Sequence, residues 1–229
     1  MKITYLGHSG FLLEAEGLRL VTDPYLREYP FPTLSPEEIR ADYILISHGH
    51  YDHVGDAQEL ARLSGGTIVA NTELANYLAA PGVKTHTMHL GGAHTFPGVT
   101  IKLTQALHGS SIGKNPAQYL GNPAGFLIRL GGLTVYHAGD TGLFGDMELL
   151  GRLNSIDVAL LPIGDNFTMG PEDALEAVRM LCPRLVIPMH YNTWPVIAQD
   201  AAAFQQAVEH QTTARVTVLQ PGESTRVND

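Results

Sequence analysis

Residues 47–53 read SHGHYDH, which places three histidines and one aspartate within six consecutive positions. Imidazole and carboxylate are the groups with which proteins bind zinc, manganese or iron. His48 and His50 are two residues apart in extended chain, so their rings project to the same side. Asp52 and His53 stand near the start of a predicted helix, where they can face a second ion. The pattern therefore favours a metal site over a solvated polar turn.

Three further segments place a ligand-type side chain just beyond a predicted strand. The residues are His108, Asp140 and His190. The three strands are predicted to end near Leu103, Tyr136 and Ile187. The SHGHYDH segment likewise follows an apolar run of strand type. Open α/β sheets build their sites at this edge, where loops vary above a rigid scaffold. We therefore expect these side chains to converge at one rim.

The composition is that of a folded globular chain. It has 229 residues, of which 44% are hydrophobic and 16% are charged, and this excludes intrinsic disorder. We find no repeat and no linker, so residues 1–229 are predicted to form one domain. Strand patterns alternate in places with helical ones, which predicts a layered α/β architecture.

Several elements are predicted from local signals. Apolar spacing predicts helices over 54–63 and 72–78. A third helix should begin at Pro171, with proline in its first position, and end before Pro183. The pair Gly131-Gly132 between two apolar runs predicts a β-hairpin.

Charge and cysteine content exclude several classes of protein. Fourteen basic against 23 acidic residues give a net charge of −9, which disfavours binding to nucleic acid or to an anionic membrane. The single cysteine, Cys182, excludes an internal disulfide and a four-cysteine zinc module. No apolar run approaches the ~20 residues of a membrane span. The segment Met1–Tyr5 has strand character rather than that of a signal peptide, which predicts a cytoplasmic protein.

The order of these motifs resembles the metallo-β-lactamase superfamily. That family has H-x-H-x-D-H, then a lone histidine, then an aspartate in a G-D-T-G setting, then a final histidine. The whole chain also resembles small bacterial metal-dependent hydrolases related to L-ascorbate-6-phosphate lactonase. The likeness covers Gly7-His8-Ser9 and residues 136–146, 162–171 and 188–193. It implies a four-layer αββα sandwich with metals at one edge of two sheets.

The resemblance also implies a ligand set for two divalent ions. One ion would be held by His48, His50 and His108, the other by Asp52, His53 and His190, with Asp140 bridging both. Five histidines and two aspartates suit zinc best, while manganese, nickel and iron are alternatives.

The implied activity is hydrolysis of a small ester, lactone or phosphoester by a metal-bridging hydroxide. Asp52 and Asp140 are the expected catalytic residues, with Asp52 orienting the hydroxide or carrying a proton to the leaving group. Two ions, two carboxylates and one hydroxide leave a net charge of about +1. The pocket should therefore accept a small anionic substrate.

Other functions within the superfamily are open to the same ligands. A nuclease or phosphodiesterase is one alternative, disfavoured by the acidic composition. Iron-dependent redox relatives of the flavodiiron type place a glutamate where His50 stands and need a flavin domain. A metal-bound protein without catalytic activity is a further alternative, although that class would be marked by loss of a ligand, and all seven are present.

Weaker candidates surround the ligand positions. The predicted substrate contacts are His8, Lys114, Asn166, Tyr191 and Asn192. For His8 an ordinary turn histidine is the alternative, and for Lys114 a solvated lysine. His137 is either a hydrogen-bonding partner of the bridging loop or a satisfied core residue. The aromatic segment 25–31 could line the pocket or bury itself in a homo-oligomer.

Overall fold

The computed structural model describes residues 1–228, and its first half begins with an antiparallel meander. The elements of this half are β1 (Lys2–Gly7), β2 (Gly10–Ala15), β3 (Leu18–Thr22), β4 (Tyr43–Leu45), α1 (Tyr51–Val54), α2 (Ala57–Ser64), β5 (Thr67–Asn71), α3 (Thr72–Leu78) and β6 (Lys84–Met88). From β3 to β6 the pairing is parallel, with helices in the crossovers.

The second half repeats this plan. Its elements are β7 (Ala93–Phe96), β8 (Val99–Gln105), β9 (Ser111–Ile112), β10 (Gln118–Tyr119), β11 (Ala124–Leu130), β12 (Leu133–His137), α4 (Asp146–Leu153), β13 (Val158–Pro162), α5 (Pro171–Leu181), β14 (Leu185–Met189), α6 (Ala201–Gln211), β15 (Arg215–Val216) and β16 (Ser224–Arg226). Strands β7, β8, β11 and β12 pair antiparallel, and β12 to β15 pair in parallel.

Within residues 1–228 the strands form two seven-stranded mixed sheets and one short hairpin. The first sheet has the order β16-β1-β2-β3-β4-β5-β6, and the second has the order β15-β14-β13-β12-β11-β8-β7. The last strand of the chain thus returns to the first sheet beside β1. Strands β9 and β10 form the separate hairpin, inside the loop that follows β8.

Side-chain alternation along the strands produces the layers. Ile3, Phe11 and Leu45 of the first sheet join Ile101 and Phe126 of the second in the core between the sheets. Alternate residues of the first sheet face the other way and pack with α2 and α3. Helices α4, α5 and α6 cover the second sheet. The predicted αββα sandwich is confirmed.

Local signals located several elements correctly. The hairpin turns at Gly131-Gly132, both with positive φ, and pairs Leu130 with Leu133. Helix α3 covers the predicted residues 72–78, and α5 begins at Pro171. In the described part of the chain, no helix combines the length and the apolar character needed to cross a membrane.

The helix predicted over 54–63 is wrong in one respect, because the structure divides it. Helix α1 ends at Val54, and Gly55 has a φ of 37°. The Asp56 carboxylate accepts hydrogen bonds from the backbone N–H groups of Leu26 and Arg27, at 2.8 and 3.0 Å. This long-range contact ends the first helical turn and starts α2, and apolar spacing carries no signal for it.

Candidate metal centre

The ligand-type side chains all lie at the carboxyl ends of strands, on one rim of the two sheets. His48 and His50 follow β4, while Asp52 and His53 occupy the first turn of α1. The second sheet supplies the remaining three side chains from the loops after its strands. These are His108 after β8, Asp140 after β12 and His190 after β14.

His48, His50 and His108 form the first group. His48 Nε2 lies 2.8 Å from His50 Nδ1, and His108 Nε2 lies 3.2 Å from the same atom. One nitrogen of each ring lies within 4.8 Å of the others. Burial lowers the pKa of all three histidines below the ordinary value, so each ring is neutral and keeps a lone pair. Such a trio can bind a cation.

Asp52, His53, His190 and His8 form the second group, with one ligand atom from each within 4.8 Å of the others. His53 Nε2 lies 3.7 Å from Asp52 Oδ2. Burial alone would raise the pKa of Asp52, but the charge of His53 and a hydrogen bond from His8 bring it down to about 2. Asp52 is therefore ionised at neutral pH.

Asp140 lies between the two groups. Its Oδ2 is 2.9 Å from His190 Nε2 and 3.2 Å from His53 Nε2. The same oxygen is 3.5 Å from His108 Nε2 and 4.0 Å from His48 Nε2. Burial would raise the pKa of Asp140, but His190 and His53 hold it well below the ordinary value. One ionised oxygen thus faces ligands of both groups.

Orphaned polar atoms among the candidate ligands indicate that cations fit this arrangement. His53 Nε2, His190 Nδ1 and Asp140 Oδ1 are buried without a hydrogen-bond partner among residues 1–228. Buried polar groups without a partner are costly, and such atoms in a histidine and carboxylate cluster are the donors that a divalent ion requires. The donor set is therefore chemically suited to a metal.

Asp23 supports the centre and was not among the predicted site residues. It is fully buried directly after β3, and its Oδ2 accepts a hydrogen bond from His53 Nδ1 at 2.9 Å. Ser47 donates to it from its backbone N–H and its hydroxyl, at 2.8 and 2.7 Å. Carboxylates in this position orient a ligating imidazole. Its place at a strand end is the same signal that located His108 and His190.

The charge of this carboxylate also affects His53. Burial lowers the pKa of His53, but Asp140 and Asp23 outweigh that effect and raise it well above the ordinary value. With Nδ1–H directed at Asp23, the Nε2 atom is the one that faces Asp140 and Asp52. The hydrogen bond thus leaves Nε2 as the nitrogen that a cation would bind in place of a proton.

His8 lies behind Asp52 rather than in the cavity. Burial lowers its pKa to about 4, so the ring is neutral. Nε2–H therefore donates to Asp52 Oδ2 at 2.9 Å, and Nδ1 accepts from the Thr193 hydroxyl at 2.8 Å. The ring also packs against His190, with centroids 4.1 Å apart. Both ring nitrogens are occupied, so His8 has none free to contact a substrate.

His137 holds the loop that carries Asp140. Its Nε2–H donates to the Ser9 carbonyl at 2.9 Å, and its Nδ1 accepts from the Gly139 N–H at 3.1 Å. The ring is fully buried. Both interpretations of this histidine apply. His137 is a core residue, and its hydrogen bond to Gly139 also fixes the turn before Asp140.

A cavity of about 770 Å³ opens over the candidate ligands. His50, Asp52, His108, Asp140 and His190 form its polar floor. Its walls come from Tyr51, the segment 111–114, Phe167, Trp194 and Val196. The volume lies within the range of small-molecule sites, roughly 300–1,000 Å³.

Of the five predicted substrate contacts, only Lys114 lines this cavity. Tyr191 and Asn192 line a separate cavity of about 290 Å³ beside Tyr29. Asn166 is exposed, and its backbone N–H donates to the Asp165 carboxylate, while its neighbour Phe167 reaches the cavity. Asn166 and Phe167 are adjacent in the chain, but only the second lines the cavity. The turn after the strand decides which of the two side chains faces the cavity, and sequence position alone does not show this.

Comparison with known proteins identifies the family that the sequence motifs resemble. The family model described as a beta-lactamase superfamily domain matches residues 2–190. A UPF0173 metal-dependent hydrolase of Desulforamulus reducens is 62% identical over 99% of this chain and 100% of the relative. Another, from Pelotomaculum thermopropionicum, is 58% identical over 98% of this chain and 99% of the relative.

A solved structure agrees with these relatives. Igni18, a metallo hydrolase from the archaeon Ignicoccus hospitalis, superposes with a TM-score of 0.90 at 39% identity. The match covers 98% of this chain and 97% of Igni18. Similarity of this extent, together with the rim of histidines and aspartates, leaves one conclusion. The chain belongs to the metallo-β-lactamase superfamily and, within it, to the UPF0173 metal-dependent hydrolases.

Proposed function

We propose that this protein is a dinuclear metal-dependent hydrolase of a small ester, lactone or phosphoester. The observation that carries the proposal is the position of Asp140 Oδ2, which lies within 4.0 Å of imidazole nitrogens from both ligand groups. A single carboxylate between two sets of ligands is the arrangement that two neighbouring ions need.

The proposed ligands divide as the two groups do. His48, His50 and His108 would hold one ion, Asp52, His53 and His190 the other, and Asp140 both. Zinc is the proposed metal because imidazole predominates, with manganese, nickel and iron as alternatives. The ions would supply a Lewis acid for the scissile carbonyl or phosphoryl oxygen and an activated water.

The chain's own residues then determine how the reaction is directed. Asp52 is ionised and its Oδ2 is held by His8, so it is positioned to accept a hydrogen bond from a water or hydroxide in the cavity and to orient it. Asp140 is ionised and buried, and its Oδ2 lies between histidines that the two sheets supply. Both carboxylates line the cavity floor.

The cavity supports a small-molecule substrate. Its volume suits a compound of that size, and the net charge of −9 opposes a nucleic-acid backbone. A cytoplasmic location and a homo-oligomeric state stay predictions.

The test is elemental analysis of the purified protein alongside a panel of lactones, thioesters and phosphodiesters. We expect about two ions per chain and turnover that rises when metal is restored after chelation. Asp140→Asn should reduce turnover by at least about 100-fold. Loss of a residue that only hydrogen-bonds to a metal ligand lowers activity by up to about 100-fold, and loss of a ligand itself should have at least that effect. It should also lower the metal content.

The control is Asp42→Asn, which removes an exposed carboxylate whose one hydrogen bond within residues 1–228 comes from the backbone N–H of Arg19. Full activity and metal content in Asp140→Asn would contradict the ligand assignment. Far fewer than two ions without metal-stimulated turnover would favour a binding protein, and cleavage of labelled RNA would favour a nuclease.

A further inference from the structure

Large apolar side chains are exposed around the mouth of the cavity. Tyr51 is 54% exposed, Phe167 50% and Val196 55%. They come from α1, from the loop after β13 and from the turn after β14, yet all three line this one cavity with the half-buried Trp194. The Tyr51 and Trp194 rings lie 6.4 Å apart. Exposed apolar groups from separate elements that meet at one place are typical of a binding surface.

A different part of the cavity lining carries a positive charge. The segment 111–114 contributes Ile112 and Lys114, and Lys114 is the one lysine or arginine among the described residues that line the cavity. Within residues 1–228, this ammonium group has no ion pair and no side-chain hydrogen bond. In contrast, Arg27 pairs with Glu37 and Glu59, and Arg184 pairs with Asp157.

The cavity therefore has three chemically distinct surfaces. The carboxylates Asp52 and Asp140 belong to the floor with the histidines, where the scissile bond would lie. Burial of an apolar group against the aromatic wall would stabilise a complex in proportion to the area removed from water. A cation at the rim would attract an anionic group, and the floor offers no other fixed positive side chain.

We propose that the wall of Tyr51, Phe167, Trp194 and Val196 selects substrates with an aryl or medium-chain alkyl group, and that Lys114 binds a single carboxylate-type anion on the same molecule. This proposal rests on the proposed hydrolase function, because that function places the scissile bond at the cavity floor. It adds the class of substrate, an amphipathic small-molecule anion, which the ligand set does not specify.

Binding can be measured without turnover, because Trp194 is the single tryptophan of the chain and lies in the wall. The probes are butanoate, hexanoate, octanoate and neutral octanamide, titrated into the purified metal-loaded protein while its fluorescence is followed. We expect the dissociation constant to fall roughly fourfold per added methylene. Octanoate should bind about threefold more tightly than octanamide, as for an exposed ion pair.

Two variants separate the surfaces. Phe167→Ala should weaken octanoate about tenfold and leave butanoate nearly unchanged. Lys114→Gln should remove the preference for octanoate over octanamide. The matched controls are Leu153→Ala, an exposed leucine on α4, and Lys84→Gln on the edge strand β6, and both should behave as the unaltered protein.

The outcomes distinguish this inference from the function on which it rests. Affinity that does not depend on chain length, or variants that match their controls, would overturn the inference even if the protein hydrolyses lactones or esters. If Lys114→Gln keeps the preference for octanoate, the anion binds elsewhere and the role of Lys114 is wrong. Chain-length dependence without any metal-stimulated turnover would leave the binding surface standing and remove the hydrolase.

Discussion

At the scale of single residues, the centre depends on groups that hold the candidate ligands as much as on the ligands. His53 is directed by Asp23, and Asp52 is held by His8. Both supporting residues are buried and follow strands of the first sheet. The fold thus presents the ligand atoms in a defined orientation before any ion binds, which reduces the cost of organising the site.

Asp23→Asn tests this support. The amide cannot accept from His53 with the strength of a carboxylate, so we expect metal affinity to fall 10- to 100-fold, roughly the effect of losing such a partner elsewhere. Competition with a chromophoric chelator measures it. Unchanged metal affinity in a folded Asp23→Asn protein would show that this hydrogen bond does not orient His53. Asp42→Asn is the control for this measurement as well.

At the scale of elements, the loop between β12 and α4 requires a glycine. Gly139 has a φ of 63°, and a Cβ there would lie 2.5 Å from the Ala124 carbonyl oxygen and 3.2 Å from the Ser47 Cβ. The loop can therefore pass close to Ser47, the residue before His48, only if position 139 has no side chain. Asp140 owes its central location to that close approach.

Gly139→Ala should destabilise the protein by more than about 2 kcal/mol, since a left-handed backbone and a steric clash add together. Gly142→Ala on the same loop is the matched control, because no atom lies within 4 Å of a Cβ built there. It should change stability by less than about 0.5 kcal/mol. Urea unfolding measures both, and equal losses would show that the close approach is not limiting.

His137, at the end of β12, makes the stability of this element depend on pH. Burial lowers its pKa, so the folded protein keeps it neutral while the unfolded chain takes up a proton near pH 6.5. Its contribution is fully present above pH 6.5 and is lost as the pH falls below that value, by up to about 1.4 kcal/mol per pH unit.

Urea unfolding between pH 7.5 and 5 is the measurement. His137→Asn should be less stable at neutral pH but lose less stability on acidification than the wild-type protein. The exposed His210→Asn should keep the wild-type slope. An unchanged slope in His137→Asn would mean that other buried histidines account for all of the dependence.

At the scale of the whole molecule, the candidate ligands join the two sheets. His48, His50 and His53 follow a strand of the first sheet, whereas His108, Asp140 and His190 follow strands of the second. Ions bound by all of them would link the two halves of the sandwich. Binding to the folded state alone then adds to its stability.

Removal of the metal should therefore lower the melting temperature. Ions present at about 1,000 times their dissociation constant contribute about 4 kcal/mol, which corresponds to a shift on the order of 10 °C for a chain of this size. Thermal unfolding before chelation, after it and after metal is restored checks this. Identical melting temperatures in all three samples would contradict a site that spans both sheets.

The alternation of apolar residues along strands and the turn signals located the hairpin at Gly131-Gly132 and helices α3 and α5, because these elements depend on neighbours in the chain. Helix α4 was not predicted, since its eight residues have few buried side chains and its packing against α5 is a tertiary contact. The break at Gly55 escaped prediction for the same reason, because Asp56 bonds to a segment 29 and 30 residues away.

By itself the sequence determined which side chains are candidate ligands, because a histidine or aspartate at the end of a strand is a local pattern that motif spacing can recognise. Only the tertiary structure decided that Asp23 and His8 stand behind those side chains, that Tyr191 and Asn192 face another cavity, and that Phe167 and Val196 line this one. These assignments depend on which way each chain segment turns after its strand, and that direction is set by packing between segments distant in sequence.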